Sequence, residues 1–303
     1  MILAPWVWIT LGAATAQTAR FTLQKKLRGG TLSTAGSTFA RFVWSAPLVA
    51  LLALGYAAAT GQAATGFGAD FWGYAVVGGV AQILATTCTV ALFTQRHFAV
   101  GITFKKTEVV QAAIFGLLVL GEGVSGWSLA AILIGLAGVV QLSQSASGTG
   151  PWTARLFNRA AGLGLASGAL FGISGVAYRG ASLSLDSGDA FLRATATLAC
   201  VTAFQTVAMA LWLGWRERGE MGRVIASWRV SGLVGLTSMI GSVCWFVAFT
   251  LQTVALVKAV GQVELVLSLI VGWRVFGERI TAREWRGLSL LAVSIVMLIL
   301  LPH

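Results

Sequence analysis

The chain has 303 residues, of which 57% are hydrophobic and only 10% are charged. Soluble domains carry about 25% charged residues, so this composition excludes an ordinary soluble protein and predicts an all-α integral membrane protein. The net charge of +11 does not indicate nucleic-acid binding, because the Lys and Arg residues are spread over short segments between apolar stretches.

Apolar stretches recur along the chain with lengths of about 17–25 residues, the span of a bilayer's hydrocarbon core. The first stretch lacks a basic lead, so we expect a spanning helix there rather than a cleaved signal peptide. The pattern predicts ten transmembrane helices, at Pro5–Gln24, Ser37–Ala59, Phe71–Phe93, Phe98–Leu120, Trp127–Ser143, Ala160–Tyr178, Ala190–Trp212, Ser227–Thr250, Ala255–Phe276 and Trp285–Leu301.

Two pairs of glutamates repeat at one spacing. Glu108 precedes Glu122 by fourteen residues, Glu264 precedes Glu278 by the same step, and the two pairs are 156 residues apart. A carboxylate within a spanning helix costs a few kcal/mol or more and marks a functional site by default. The same offset relates four further pairs, Cys88/Cys244, Trp72/Trp228, Gly116/Gly272 and Gly121/Gly277.

The repeat predicts two halves of five helices each. Residues 144–158 form the one long connection that contains Ser, Gly and Pro, and it lies near the midpoint. We therefore expect one repeat at 1–143, a linker at 144–158 and a second repeat at 159–303. An odd number of spans inserts the second copy upside down, which predicts inverted-topology repeats.

Loop charge predicts the orientation in the membrane. One face carries nearly all of the basic loop residues, whereas the other has little beyond Arg179. The positive-inside rule places the basic face in the cytoplasm and both termini outside the cytoplasm. The basic residues of that face are Lys25, Lys26, Arg28, Arg96, Arg155, Arg159, Arg216, Arg218, Arg223, Arg229, Arg274, Arg279, Arg283 and Arg286.

The fourth and ninth spans carry the candidate site. Lys105 precedes Glu108 by three residues, so we expect it to neutralise Glu108 within its own helix. Lys258 precedes Glu264 by six residues, on another face, so its partner must lie on another helix, in water or in the substrate. The alternative is an ion pair that only fixes helix packing. The predicted substrate- or ion-binding residues are Lys105, Glu108, Gln111, Lys258, Gln262, Glu264, Ser268, Trp44 and Trp245.

Other polar residues in the spans have structural interpretations. Arg20, Arg41 and Arg193 lie near span ends, where long basic side chains are expected to reach the membrane surface. Three glutamines lie deeper and are expected to form hydrogen bonds between helices, namely Gln17, Gln82 and Gln205.

The segments from Phe93 to Glu122 and from Thr250 to Arg279 resemble the EamA-type branch of the drug/metabolite transporter superfamily. The resemblance implies tandem five-helix repeats that move small metabolites, often amino acids, outward across the inner membrane without ATP. Three features depart from the family: Gly123 stands where Arg is expected, many relatives have Pro at the positions of Glu108 and Glu264, and the termini of relatives commonly face the cytoplasm.

The residues and the resemblance together predict a secondary transporter, an exporter of a small polar or amphipathic metabolite, with a central cavity between spans four and nine. A coupled proton or an exchanged solute and the membrane lipid are the further expected partners. The sequence leaves the oligomeric state open, with a monomer as one alternative. No cofactor, metal or nucleic acid is expected. The alternatives are a channel-like or scaffolding subunit and a membrane enzyme, for which the sequence offers no histidine dyad or phosphate-binding loop.

Overall fold

The computed structural model describes residues 4–28, 32–92, 104–144, 159–267, 270 and 281–300, without the side chains of residues 25–28, 143, 144 and 283. Apart from an isolated bridge between Thr65 and Asp186, the regular elements of these residues are helices. They are α1 (Pro5–Arg28), α2 (Thr34–Thr60), α3 (Ala69–Leu92), α4 (Glu108–Leu120), α5 (Gly126–Gln144), α6 (Arg159–Leu183), α7 (Ala190–Arg216), α8 (Glu220–Ala226), α9 (Trp228–Leu251), α10 (Val254–Val260) and α11 (Ala282–Leu300).

The distribution of polar and apolar side chains is that of a membrane protein. Leu118 is 75% exposed and Leu211 is 71% exposed, whereas Arg41, Lys105 and Glu108 are buried. This is the reverse of a soluble protein, whose charged side chains face water. Among the described residues, five helices are long and apolar enough to span a bilayer, namely α2, α3, α6, α7 and α9. The chain is therefore a multi-pass membrane protein.

Two of the predicted spans differ from a continuous helix. The fourth contains a turn at residues 106–107, after which α4 begins at Glu108. In the ninth, α10 ends at Val260, a turn follows at 261–262, and residues 263–267 are helical again. The structure also adds the short helix α8, and most of the predicted linker, residues 145–158, lies outside the described residues.

Helices from the two halves of the chain pack on each other in pairs. The main contacts join α1 to α9, α3 to α6, α2 to α7 and α5 to α11. Small residues permit the close approach: a Cβ at Gly241 of α9 would lie 3.4 Å from the Cβ of Ala16 on α1. A Cβ at Gly78 of α3 would lie only 2.7 Å from the ring of Tyr178 on α6. Helix α4 packs against α6 and α10, so the two interrupted spans meet in the interior.

The Gly-Glu sequence after α4 forms a helix cap and an interhelical clamp. Gly121 has a φ of 68°, the left-handed conformation that favours glycine at a helix C-terminus, and the backbone N–H of Glu122 donates to the carbonyl of Gly116 at 3.1 Å. The Glu122 carboxylate accepts from Nε of Arg179 at 2.8 Å. Arg179 also donates to the carbonyl of Gln252 beyond the end of α9. Glu122 therefore ties together the ends of α4, α6 and α9, while Glu278 lies outside the described residues.

Candidate functional site

The two helix breaks place opposite charges at helix ends that favour them. Glu108 is the first residue of α4, and Lys258 lies in the last turn of α10. A helix N-terminus carries a partial positive charge and a C-terminus a partial negative charge, each contributing about 0.3–1 kcal/mol near an ion of opposite sign. Breaks in spanning helices are tolerated where the freed backbone lines a buried polar site. The breaks therefore build a polar centre within the membrane.

Two ion pairs cross between the halves of the chain at this centre. Nζ of Lys258 lies 3.8 Å from Oε2 of Glu108, and Nζ of Lys106 is paired with Oε1 of Glu264. Each pair joins a lysine of one half to a glutamate of the other. All four side chains are buried, so removing one partner would leave an uncompensated charge, which costs roughly 3–5 kcal/mol.

The Glu264 carboxylate also receives a hydrogen bond from the first helix. Nε2 of Gln17 donates to Oε2 of Glu264 at 2.5 Å, and Nε1 of Trp245 donates to Oε1 of Gln17 at 3.1 Å. This chain fixes the orientation of the Gln17 amide. The predicted interhelical bonding of the glutamines is confirmed here, and also for Gln205, whose Nε2 donates to Oε1 of Gln82 at 3.0 Å.

Aromatic rings enclose the lysine side chains. Nζ of Lys258 lies 4.8 Å from the ring centroid of Trp245 and 5.4 Å from that of Phe171. Nζ of Lys105 lies 5.0 Å from the same Phe171 ring and 5.3 Å from that of Phe21. A cation over a ring face gains about 0.5–2 kcal/mol, which offsets part of the cost of removing the ammonium groups from water.

Among the described residues, Lys105 and Glu108 interact electrostatically but do not form the close ion pair expected within one helix. The turn at residues 106–107 separates these two residues, so their three-residue spacing no longer places them one above the other on a continuous helix. Glu108 forms its ion pair with Lys258, which was expected to find a partner on another helix. Glu264 forms its ion pair with Lys106, a residue that the sequence analysis did not select for the site.

Two buried amides add hydrogen-bonding capacity that the described side chains do not use. Nε2 of Gln262 donates to the carbonyl of Lys106 at 3.4 Å. Oε1 of Gln262 and Oε1 of Gln111 accept no hydrogen bond from any described residue. Because a buried acceptor without a donor costs about 1–3 kcal/mol, the centre has places for the donor groups of a polar solute.

The remaining predicted residues lie elsewhere. Trp44 of α2 packs against Gly235 of α9 and donates from Nε1 to Oγ of Ser231 at 2.9 Å, away from the two ion pairs. Ser268 lies outside the described residues. The sequence analysis did not assign Lys106, Gln17 or Phe171 to the candidate site, although it expected Gln17 to form a hydrogen bond between helices. Adjacency to Lys105 was the available signal for Lys106, whereas no local pattern marks Phe171.

A small void adjoins the charged centre. A void of about 10 Å³ lies beside Lys106 and Gln262, room for about one water. A cavity of about 420 Å³ lies instead between α3, α4 and α6, where Tyr74, Phe115 and Val176 form part of an apolar wall. The residues that line this cavity include none of Lys106, Glu108, Lys258 and Glu264, so the cavity is separate from the charged centre.

The site offers acid, base and amide groups but no metal site within the part of the chain that the structure describes, where no group of three His, Cys, Asp or Glu residues converges. The three cysteines, Cys88, Cys200 and Cys244, are free.

Comparison with known proteins gives a match to a family model and a similarity to a solved structure. The model of the EamA-like transporter family matches residues 158–300. A solved structure titled only "Crystal structure of protein" is 17% identical, with a TM-score of 0.64 over 97% of this chain and 99% of its own. At that identity the similarity shows the fold alone. No curated protein matches the chain.

Proposed function

We propose that the whole chain is a secondary transporter of a small polar or amphipathic metabolite such as an amino acid, since the model of the EamA-like transporter family matches residues 158–300. The observation that carries the proposal is the reciprocal pairing of Lys106 with Glu264 and Lys258 with Glu108 at two breaks inside the membrane. Charged groups are retained within hydrocarbon where a polar solute or ion must pass.

We further propose that the chain consists of ten spans in two inverted repeats. The repeat offset is 152 residues for the first two spans, as for Arg41 and Arg193, and 156 residues from the third span on. Under these offsets α1 corresponds to α6 and α3 corresponds to α9, so the contacts α1–α9 and α3–α6 are equivalent. The contacts α2–α7 and α5–α11 each join two equivalent helices. This reciprocity is what a pseudo-twofold axis in the membrane plane would produce, and it supports alternating access by rocking of one half against the other.

The ion pairs suggest how the solute is coupled to this movement. The cross-half pairs hold the two halves together at the charged centre. A solute that carries charged groups of its own would replace one partner in each pair and lower the cost of separating the halves. An unoccupied site would keep both pairs and stay closed, which favours exchange or movement with a bound solute over leakage.

Direction and orientation follow from the loop charge and from the family. We propose export across the inner membrane, with the basic loops in the cytoplasm and both termini on the opposite side. Labelling of single cysteines introduced at Thr60 and Arg218 by a membrane-impermeant thiol reagent in intact cells would check this orientation. We expect modification at Thr60 and protection at Arg218; the opposite pattern would invert the topology.

A transport assay tests the proposed function. Cells that overproduce the protein should tolerate a higher concentration of its substrate, and a screen of toxic metabolites identifies that compound. Counterflow of the labelled compound in proteoliposomes should then be saturable. Glu108→Gln and Glu264→Gln should reduce it at least about tenfold, whereas Glu284→Gln, at a partly exposed glutamate that caps the start of α11 outside the charged centre, should not. Full activity of both buried variants would make the ion pairs purely structural.

A further inference from the structure

Arg41 of α2 is a buried cation whose described hydrogen-bond partners are neutral. It is only 4% exposed, so the expected extension to the membrane surface is wrong for this residue, as it is for Arg20 at 3%. Nε of Arg41 donates to Oγ of Ser238 at 3.0 Å, and Nη1 donates to Oγ1 of Thr86 at 2.9 Å. Nη2 lies 3.4 Å from Oγ of Ser242. Among the described residues, no carboxylate lies within ion-pair distance of Arg41.

This arginine needs a counter-ion more than the neighbouring lysines do. A buried lysine can lose its proton, but a guanidinium stays charged at any physiological pH. Three hydroxyl groups satisfy hydrogen bonds without neutralising that charge. A guanidinium has five N–H donors, and the three hydroxyl groups engage three of them. The remaining donors can bind a further acceptor that carries a negative charge.

The buried interior carries an excess of positive charge. In the part of the chain that the structure describes, Glu108 and Glu264 are the carboxylates of the central cluster, and both are paired with lysines. A third buried carboxylate, Glu220, lies with Arg223 at the connection between α7 and α9. The buried cations number five, namely Arg20, Arg41, Lys105, Lys106 and Lys258.

Arg41 lies next to the charged centre and not in a separate part of the fold. Its partners Ser238 and Ser242 share one face of α9 with Trp245, at intervals of four and three residues. Ser242 and Trp245 are thus about 4.5 Å apart along the helix axis. Trp245 contacts Lys258, and Arg41 lies within electrostatic range of Lys258 and Arg20.

We propose that Arg41 is the anion-recognising residue of the transport site, and that the substrate therefore carries a carboxylate or phosphate group. The proposal rests on the proposed function and narrows its substrate class. The anionic group binds the N–H donors of Arg41 that the hydroxyls leave free, while donor groups of the same solute reach Glu108, Gln111 and Gln262. A bound anion then reduces the excess positive charge of the interior, where five buried cations face the two carboxylates of the central cluster.

Binding to the full-length protein in detergent tests this assignment with chemically matched probes. The probes are amino acids, their amides, which lack the carboxylate, and the corresponding acids without the amino group, together with inorganic phosphate. We expect carboxylates or phosphate to raise the unfolding temperature at constant ionic strength, and the amides to have no effect. Equal stabilisation by acids and amides, or no response to any carboxylate or to phosphate, would overturn the proposal.

Substitutions at Arg41 assign that response to one residue. Arg41→Gln should weaken apparent anion affinity at least about tenfold, and Arg41→Lys should give an intermediate value because it keeps the charge but loses the planar fork. Arg193→Gln makes the same change at the equivalent position of the second repeat, and it should retain the response. An unchanged anion response in Arg41→Lys and Arg41→Gln would refute the assignment; if Arg41→Gln does not fold, Arg41→Lys decides alone.

The outcome is separable from that of the proposed function. Suppose that the protein transports a neutral or cationic solute, that Glu108→Gln abolishes this transport and that Arg41→Gln leaves it intact. The anion assignment would then fail while the transporter stands. Conversely, an Arg41-dependent anion response in a protein with no counterflow activity would support the anion-binding site and contradict the proposed transport function.

Discussion

Gln262 and Lys106, which stand 156 residues apart, contact each other directly. Nε2 of Gln262 lies 3.4 Å from the carbonyl oxygen of Lys106, and the two residues hold the same position relative to Glu264 and Glu108. Direct contact between equivalent positions is expected beside a pseudo-twofold axis, where each half meets its counterpart. Both residues lie at a helix break, so under the proposed inverted repeat the axis would run through the charged centre.

The cross-half ion pair of Glu108 and Lys258 should show strong energetic coupling. Glu108→Gln and Lys258→Met should each lower the free energy of unfolding by roughly 3–5 kcal/mol, because either change leaves a buried charge without its partner. The double variant should cost clearly less than the sum, measured by denaturant unfolding in detergent micelles. Glu284→Gln, outside the charged centre, serves as the control. Additive losses would show that the two side chains do not interact.

Two glycines of α6 should respond to alanine in opposite directions. A Cβ at Gly168 would lie 2.8 Å from Oε1 of Gln111 and 2.8 Å from the carbonyl of Lys105, at the break in the fourth span. Gly168→Ala should therefore destabilise the protein by about 1–3 kcal/mol and impair transport. Gly162 has nothing within 4 Å of the same position, so Gly162→Ala should stabilise the helix by up to about 1 kcal/mol.

Thermal unfolding and counterflow measure both glycine variants. If Gly168→Ala were as stable and active as the wild type, α4 would not be held against α6 as the structure places it.

The two deep tryptophans should differ in their effect on transport. Trp245→Phe removes the hydrogen bond to Gln17 and weakens the cation–π contact with Lys258, each contributing about 1 kcal/mol. We expect the apparent substrate affinity to fall about tenfold or more. Trp44→Phe loses only the bond to Ser231, so it should lower stability by about 1 kcal/mol and leave the KM for transport unchanged.

Steady-state counterflow at varied substrate concentration separates the two tryptophan variants. A larger effect on KM from Trp44→Phe than from Trp245→Phe would contradict the placement of Trp44 outside the binding site.

Glu220, in the connection outside the spans, should give the protein a dependence on acid pH. Burial raises the pKa of its carboxyl, but the backbone N–H of Ser33 and the guanidinium of Arg223 outweigh burial and lower the pKa from the ordinary value of 4.5. A carboxylate with a lowered folded-state pKa contributes stability that is complete above the unfolded value and is lost as the pH falls through the folded value.

The measurement for Glu220 compares unfolding temperatures of the wild type and Glu220→Gln between pH 7 and pH 3. The wild type should be more stable near neutral pH, by about 1.5–3 kcal/mol for the lost charge-assisted hydrogen bonds. The difference should shrink as the pH falls below 4.5. A difference that is constant over this range would indicate a packing effect without titration.

Much of the fold could be predicted from the sequence because hydropathy is a local property. Runs of apolar residues identify spanning helices whatever their neighbours are, and a fixed offset reveals the duplication. The interruption at residues 106–107 could not be predicted in this way. An apolar run reads as one helix, and only contacts with α6 and α10 stabilise a break within it.

The charged centre was predicted in its residue types but not in its pairings. Glu108, Glu264, Lys105 and Lys258 were identified because charge in a hydrophobic run is conspicuous. The partner of each lysine depends on which helix of the other half faces it. Lys106 meets Glu264 across 158 residues, and no local periodicity encodes a contact of that range.

By itself, the sequence determined that the chain lies in a membrane, that it is helical and that acids and bases recur in both halves. Each of these properties follows from the composition and the spacing of residues along the chain. Only the tertiary structure decided that Glu108 pairs with Lys258 and that Arg41 turns into the interior instead of towards the membrane surface. The physical reason is that an ion pair or a burial site is a relation between helices far apart in the chain, and packing alone brings those helices together.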